Sequence, residues 1–123
     1  MTRTEIINNF IKKNNYNSYL EIGIDNPDNN FNKINIKNKT GVDPYDKKLR
    51  VSTHWNDVNR ENFSSQIQYV MTSNQFFEQN SQMFDIIFID GLHLDFQVKK
   101  DMESSLKYLN EGGTIILHDC LPP

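Results

Sequence analysis

The segment Phe84 to Ile89 is apolar at every position except Asp85, and Asp90 follows it directly. A strand with one wet face alternates apolar and polar residues, whereas an unbroken run indicates a strand that is buried on both faces. Strands of this kind are typical of parallel sheets that helices cover on both sides. The run therefore predicts an α/β fold, and it is far too short to span a bilayer.

Shorter apolar runs lie on both sides of this segment, and segments with helical spacing alternate with them. At the N-terminus, one helical stripe is formed by Ile6, Ile7, Phe10 and Ile11. A cap at Thr2 or Thr4 would begin this helix, and a cap at Ser73 would begin a second, shorter one. We predict strands over residues 19–22, 40–44, 68–72, 84–90 and 114–117.

The segment between the last two predicted strands has the spacing of a third helix, over residues 94–109. Asp101 is assigned to the solvent-exposed face of this helix. Residues 110–113 tolerate left-handed geometry and would end the helix. The predicted buried face of this helix consists of Val98, Met102, Ser105, Leu106 and Leu109.

The length of 123 residues allows one domain of ordinary size. We expect residues 1–123 to form a single domain with a mostly parallel sheet of about five strands and helices on both faces. The net charge of −3 gives no support for a nucleic acid or an anionic membrane as partner. The lone Cys120 and the lack of a signal-peptide core at the N-terminus favour a cytoplasmic location.

Acidic, histidine and small polar residues follow the predicted strands. In a parallel sheet, ligands bind outside the carboxyl ends of the strands, which meet at one edge. We therefore expect a small-molecule site at this edge. The residues that lie at or just after the strand ends are Glu21, Gly23, Asp43, Ser73, Asn74, Asp90, His93, His118 and Asp119.

The turn after the first strand restricts the class of ligand. A dinucleotide requires a Gly-x-Gly-x-x-Gly turn around its pyrophosphate, but here Gly23 is the only glycine and Asp25 and Asp28 follow it. Two carboxylates would repel a pyrophosphate, so NAD and FAD are disfavoured. A cationic ligand without phosphates, such as S-adenosylmethionine (SAM) with its sulfonium and ammonium groups, fits this turn better.

Five segments carry short motifs: Glu-Ile-Gly at residues 21–23, Gly-Val-Asp-Pro at 41–44, residues 71–77, Ile-Asp-Gly-Leu-His at 89–93, and Gly-Gly followed by His-Asp within 112–119. In this order they resemble the successive motifs of class I SAM-dependent methyltransferases. They are most similar to the small methyltransferase domain 24 group, in which Ile-Asp-Gly-x-His and His-Asp recur. The resemblance covers roughly residues 19–122 and implies a Rossmann-like fold.

The resemblance also implies roles in binding SAM. Glu21 and Gly23 would line the methionine end of the cofactor, with Gly23 leaving room for it. Asp43 would accept hydrogen bonds from the ribose hydroxyls, since a carboxylate offers two acceptor oxygens and no donor. Ser73 and Asn74 would face the adenine, and Asn74 stands where the family usually has an aspartate.

Asp90 would lie beside the transferring methyl group, which makes it both a cofactor-binding and a catalytic residue. Three interpretations of its surroundings stay open. In the first, Asp90, His93 and Asp119 hold Mg²⁺ or another divalent cation that orients a substrate oxygen. In the second, His93 or His118 is a general base and no metal is needed. In the third, a histidine only caps the following helix or loop.

The resemblance implies O-methyl transfer to a small hydroxylated acceptor such as a sugar. Two other classes of function stay open, namely a non-catalytic SAM-binding or scaffold domain and a metal-dependent hydrolase or hydroxylase on a similar sheet. The class I fold usually continues past the fifth strand, so we expect a C-terminally shortened domain or a part of a longer protein. A bare edge at the fifth strand predicts a homodimer or further polypeptide that covers it.

Overall fold

The structure is a computed structural model that describes residues 1–24, 27–43, 65–90 and 95–118. In these ranges the helices are α1 (Arg3–Asn14), α2 (Ser73–Gln79) and α3 (Asp95–Lys107). The strands are β1 (Ser18–Ile22), β2 (Asn38–Val42), β3 (Ser65–Tyr69), β4 (Phe84–Ile89) and β5 (Leu109–Leu117), and the short 3-10 turns Pro27–Asn29 and Phe31–Lys33 lie between β1 and β2. No helix in the described ranges is long and apolar enough to cross a membrane.

The strands form one sheet in the order β3-β2-β1-β4-β5, and every neighbouring pair is parallel. The predicted sheet of about five mostly parallel strands is thus confirmed. β4 lies between β1 and β5, and its residues 86–89 are fully buried. The unbroken apolar run of β4 therefore corresponds to a strand that is covered on both faces, as the sequence predicts.

Helices cover both faces of the sheet, as predicted. On one face, α1 and the 3-10 turns pack against the strands, and on the other face α2 does so. The first core cluster includes Ile7, Ile11, Tyr19, Phe31 and Phe88, and the second includes Leu20, Ile22, Phe76, Phe77 and Ile87. Successive residues of β1 alternate between the two clusters because side chains along a strand point to opposite faces.

The start of α1 is fixed by a capping box. The Thr2 hydroxyl accepts a hydrogen bond from the N–H of Glu5, and the Glu5 carboxylate accepts one from the N–H of Thr2. Of the two predicted caps, Thr2 is therefore the correct one. The capping box places Arg3 and Thr4 in the first turn of α1, from which both side chains reach other elements.

The third strand lies three residues earlier than predicted, at Ser65–Tyr69 rather than residues 68–72. Thr72 and Gln75 form a second capping box, in which each side chain accepts a hydrogen bond from the other residue's N–H. The N-cap of α2 is therefore Thr72, and the prediction of Ser73 was wrong. β3 ends before this cap, although the N–H of Met71 still donates to the carbonyl of Asp43.

The buried face of α3 differs from the predicted one. Asp101 is only 2% exposed, whereas Met102 is at the surface and Leu106 is 59% exposed. The Asp101 carboxylate accepts hydrogen bonds from Ser73 of α2 and from Gln97 of α3 itself. Because these polar contacts turn Asp101 inward, Met102 and Leu106 lie outside, whereas Ser105 of the predicted face is fully buried.

The last strand is longer than predicted. β5 covers Leu109–Leu117 and includes residues 110–113, which were expected to end α3. Its pairing with β4 shifts register between Phe84 and Ile86, and Gly112 has a φ of +81°. The paired glycines therefore accommodate an irregularity at the start of a strand rather than a helix cap.

Gly41 of β2 lies where the structure leaves no room for a side chain. A Cβ atom built at this position would lie 2.2 Å from Cδ1 of the buried Ile24. Gly41→Ala is expected to lower the free energy of unfolding by about 1–3 kcal/mol, measured by urea titration. Ile24→Val removes the colliding methyl group, so the double variant should be more stable than Gly41→Ala alone. A Gly41→Ala protein as stable as the wild type would contradict this packing.

Candidate functional site

Backbone hydrogen bonds bring the residues that follow the strands to one edge of the sheet. The N–H groups of Gly23, Asp43, Asp90 and His118 each donate to the carbonyl of the last residue of a neighbouring strand, at N···O distances between 2.7 and 3.1 Å. These four residues therefore extend the sheet by one residue beyond β1, β2, β4 and β5. The predicted meeting of their positions at the carboxyl edge is confirmed.

Asp43 is joined to the turn that follows β1. Its Oδ2 accepts a hydrogen bond from the N–H of Ile24 at 2.8 Å, and its side chain is almost fully buried. Gly23 begins the turn with a φ of +86°, a conformation that L side chains rarely adopt. The carboxylate expected to bind ribose thus lies beside the turn expected to line SAM.

A charged cluster lies at the end of β4. Nη1 of Arg3 donates to Oδ2 of Asp90 at 2.6 Å, and the two side chains are 27% and 19% exposed. Nδ1 of His118 lies 3.6 Å from the other oxygen, Oδ1 of Asp90. The guanidinium carbon of Arg3 is 6.0 Å from the centre of the Phe88 ring. The structure therefore brings together Asp90 and His118, two of the predicted catalytic residues.

Arg3 is a member of this cluster that sequence reasoning did not identify. It lies 87 positions before Asp90 in the chain, in the first turn of a helix rather than at a strand end. The capping box at Thr2 indicates where α1 begins. No local pattern indicates which strand the Arg3 side chain reaches, because that depends on how α1 packs across the sheet.

Glu21 is buried beneath the edge of the sheet rather than open at it. Its Oε1 accepts hydrogen bonds from the Tyr19 hydroxyl at 2.5 Å and from Nδ2 of Asn30 at 2.9 Å. Thr4 of α1 extends this network by donating to Oδ1 of Asn30 at 2.6 Å. Burial raises the pKa of Glu21 to about 7, although its hydrogen bonds and the charge of Arg3 oppose the increase. The contact of Glu21 with SAM stays a prediction.

Ser73 and Asn74 lie at the start of α2, and both are linked to α3. Nε2 of Gln97 is within hydrogen-bond distance of Oγ of Ser73, Oδ1 of Asn74 and Oδ1 of Asp101. The Ser73 hydroxyl donates to the same oxygen of Asp101 at 2.5 Å. Burial raises the pKa of Asp101, and these hydrogen bonds oppose the increase. The assignment of Asp101 to the solvent-exposed face was therefore wrong. Gln97 contacts both residues that are predicted to face the adenine.

The predicted metal ligands lie only partly within the described residues. His93 and Asp119 lie outside them, so the structure places Asp90 alone of this set. Within the described ranges, no group of three or more histidine, cysteine, aspartate or glutamate side chains is arranged to hold a metal ion. Oδ2 of Asp90 is instead bonded to the cationic side chain of Arg3. Among the described residues, the surroundings of Asp90 therefore do not fit those of a metal ligand.

Comparisons relate this architecture to known proteins. The family model described as a methyltransferase domain, methyltransferase domain 24, matches residues 20–120. The crystal structure of a Staphylococcus aureus protein provisionally named a caffeoyl-CoA O-methyltransferase superposes with a TM-score of 0.70 and 22% sequence identity, which shows a shared fold. The match covers 95% of this chain and 57% of that protein. No curated protein is significantly similar to the chain in sequence.

Proposed function

Since this chain belongs to the methyltransferase domain family, we propose that it is a SAM-dependent methyltransferase that acts on an oxygen atom of a small hydroxylated acceptor such as a sugar. The shared fold with a protein named as an O-methyltransferase supports oxygen as the acceptor atom. The single cysteine of the chain supports a reducing compartment, and we place the protein in the cytosol.

The observation that carries this proposal is the contact between Asp43 and the turn after β1. Each carboxylate oxygen can accept more than one hydrogen bond, so Asp43 can hold both Ile24 and the ribose hydroxyls. Gly23 allows the backbone to approach the methionine part of the cofactor closely, and Glu21 lies in the strand that leads to it. Ser73 and Asn74 complete the proposed site on the adenine side.

Asp90 and His118 supply the proposed chemistry of transfer. When bound, SAM supplies the methyl group: the acceptor oxygen bonds to the methyl carbon as the carbon–sulfur bond breaks, and the electron pair of that bond stays on sulfur. The proton of the acceptor hydroxyl passes to His118, whose imidazole lies beside the Asp90 carboxylate. His93, which lies outside the described residues, stays a second candidate for this proton transfer.

Transfer of a radiolabelled methyl group from SAM to a panel of sugars and other small hydroxyl compounds tests the proposal. We expect label in at least one acceptor, in an amount that depends on the protein and falls when S-adenosylhomocysteine is added. The matched control is Asp90→Asn, which keeps the size of the side chain and removes its charge, and which should transfer less label. Binding of S-adenosylhomocysteine without labelling of any hydroxyl compound would contradict transfer to oxygen.

A specific observation favours a second candidate, a SAM-binding or scaffold domain without catalysis. The side chains of Ser73 and Asp43, which the first candidate assigns to SAM, are already hydrogen-bonded within the domain. A domain of this kind would bind S-adenosylhomocysteine and label none of the acceptors. The labelling experiment therefore distinguishes the two candidates.

We also propose that a second copy of the chain covers the outer edge of β5. This strand is nine residues long and pairs only with β4 among the described strands, and Leu117 at its end is 41% exposed. Its last three residues, 115–117, are apolar, and an exposed edge strand tends to pair with another chain. Sedimentation equilibrium at high protein concentration should show a dimer, and a strict monomer would rule out this pairing.

A further inference from the structure

The positive charge that faces Asp90 comes from the protein itself. Nη1 of Arg3 lies 2.6 Å from Oδ2 of Asp90, and both side chains are largely shielded from water. A hydrogen bond between two ionised groups is about twice as strong as one between neutral groups. Arg3 therefore supplies the positive charge that balances the Asp90 carboxylate.

Several contacts hold Arg3 in this position. The capping box between Thr2 and Glu5 fixes the turn of α1 from which it extends. The next residue, Thr4, donates to Asn30, which in turn donates to Glu21 of β1. The guanidinium also lies over the ring of Phe88, in β4 itself. The ion pair with Asp90 is thus part of how α1 docks on the sheet.

A divalent cation at Asp90 would compete directly with this ion pair. Mg²⁺ binds oxygen ligands at about 2.0–2.1 Å, so an ion bound through Oδ2 would have to displace the guanidinium. An ion bound through Oδ1 would lie next to a fixed positive charge, and like charges at this separation repel strongly in a partly buried site.

We propose that the guanidinium of Arg3 takes the place of a divalent cation at the end of β4, so that the site works without a metal ion on Asp90. The inference rests on the proposed methyl transfer and adds a positioning residue to it. Arg3 holds the Asp90 carboxylate in place and neutralises it. The fork of five N–H donors on an arginine also allows Arg3 to bond Asp90 and a polar group of the acceptor together.

Binding of Mn²⁺, followed by electron paramagnetic resonance of the free ion, tests this inference directly. The full chain is compared as wild type, Arg3→Gln, Arg3→Lys, Asp90→Asn and the double variant Arg3→Gln with Asp90→Asn. Lys12→Gln is the matched control, because it removes one positive charge from the exposed last turn of the same helix. Circular dichroism confirms that each variant is folded.

We expect weak Mn²⁺ binding by the wild type and at least about tenfold tighter binding by Arg3→Gln, since loss of a charge-assisted hydrogen bond corresponds to at least such a factor. The gain should vanish in the double variant, and Arg3→Lys and Lys12→Gln should behave as the wild type. Tight Mn²⁺ binding by the wild type that Asp90→Asn abolishes would overturn the inference. Equal affinities of the wild type and Arg3→Gln would also overturn it.

Binding of S-adenosylhomocysteine by the same proteins, with EDTA present, separates this inference from the proposed function. We expect the wild type to bind the cofactor product equally well with and without EDTA. Loss of wild-type binding in EDTA would contradict a site that works without metal. A wild type that never binds S-adenosylhomocysteine would refute the proposed function, while the Mn²⁺ result would still decide the role of Arg3.

Discussion

Asp43→Ala is expected to weaken the binding of S-adenosylhomocysteine by about tenfold to a hundredfold, measured by isothermal titration calorimetry. The carboxylate lies beside the turn after β1, where it would accept hydrogen bonds from the two ribose hydroxyls. Hydrogen bonds to a charged group contribute about 1.5–3 kcal/mol, and each 1.4 kcal/mol corresponds to about tenfold in affinity. The ribose contact is therefore expected to dominate the effect.

Two further variants keep this result interpretable. Asp43→Asn retains an acceptor oxygen for the N–H of Ile24 and loses only the charge, so it should bind with intermediate affinity. Glu111→Gln removes an exposed charge from β5 and should bind as the wild type does. If Asp43→Ala bound S-adenosylhomocysteine within a factor of two of the wild type, the ribose assignment would be wrong.

The stability of the protein should fall as the pH rises from about 4.5 to 7, through the ionisation of Glu21. Burial raises the pKa of this carboxyl group from 4.5 to about 7 in the folded protein. Between these values the folded protein holds a proton that the unfolded chain has released, so increasing pH favours unfolding. This difference in the pKa of Glu21 between the folded and unfolded states corresponds to about 3 kcal/mol in the free energy of unfolding.

Glu21→Gln isolates this contribution, because glutamine keeps an acceptor oxygen for Tyr19 and Asn30 and does not ionise. The free energy of unfolding of both proteins is measured by urea titration at several pH values. The difference between the two cancels the contributions of all other groups. The stability of the wild type relative to Glu21→Gln should decrease from pH 4.5 to 7 and then stay constant. A difference that is independent of pH would show that Glu21 is not held protonated by burial.

The sheet and the edge that carries the site follow from the sequence because they depend on local patterns. The unbroken apolar run of β4 indicates burial on both faces, and its alternation with helical segments indicates parallel strands. Once the strands are parallel, the residues that follow them must meet at one edge. Gly23, Asp43, Asp90 and His118 could therefore be placed together without knowledge of their side-chain contacts.

Contacts between distant elements could not be predicted in the same way. Asp101 has the spacing of an exposed residue, yet its hydrogen bond with Ser73 of α2 buries it. Arg3 belongs to the cluster at Asp90 only because α1 packs across β1 and β4. The boundary of β3 was misplaced because the capping box of Thr72 competes with the apolar pattern of the strand. The positions of Asp101 and Arg3 thus depend on polar contacts between elements that are distant in the chain.

Thermal unfolding of the purified protein with and without S-adenosylhomocysteine tests most directly whether the strand ends form a SAM site. Ligand at about 100 times its Kd should stabilise the folded protein by about 2.7 kcal/mol, which for a domain of this size raises Tm by roughly 10 °C. The account predicts such an increase for the wild type, a smaller one for Asp43→Ala, and no dependence on added Mg²⁺. A folded wild-type protein whose Tm does not change with saturating S-adenosylhomocysteine would contradict it.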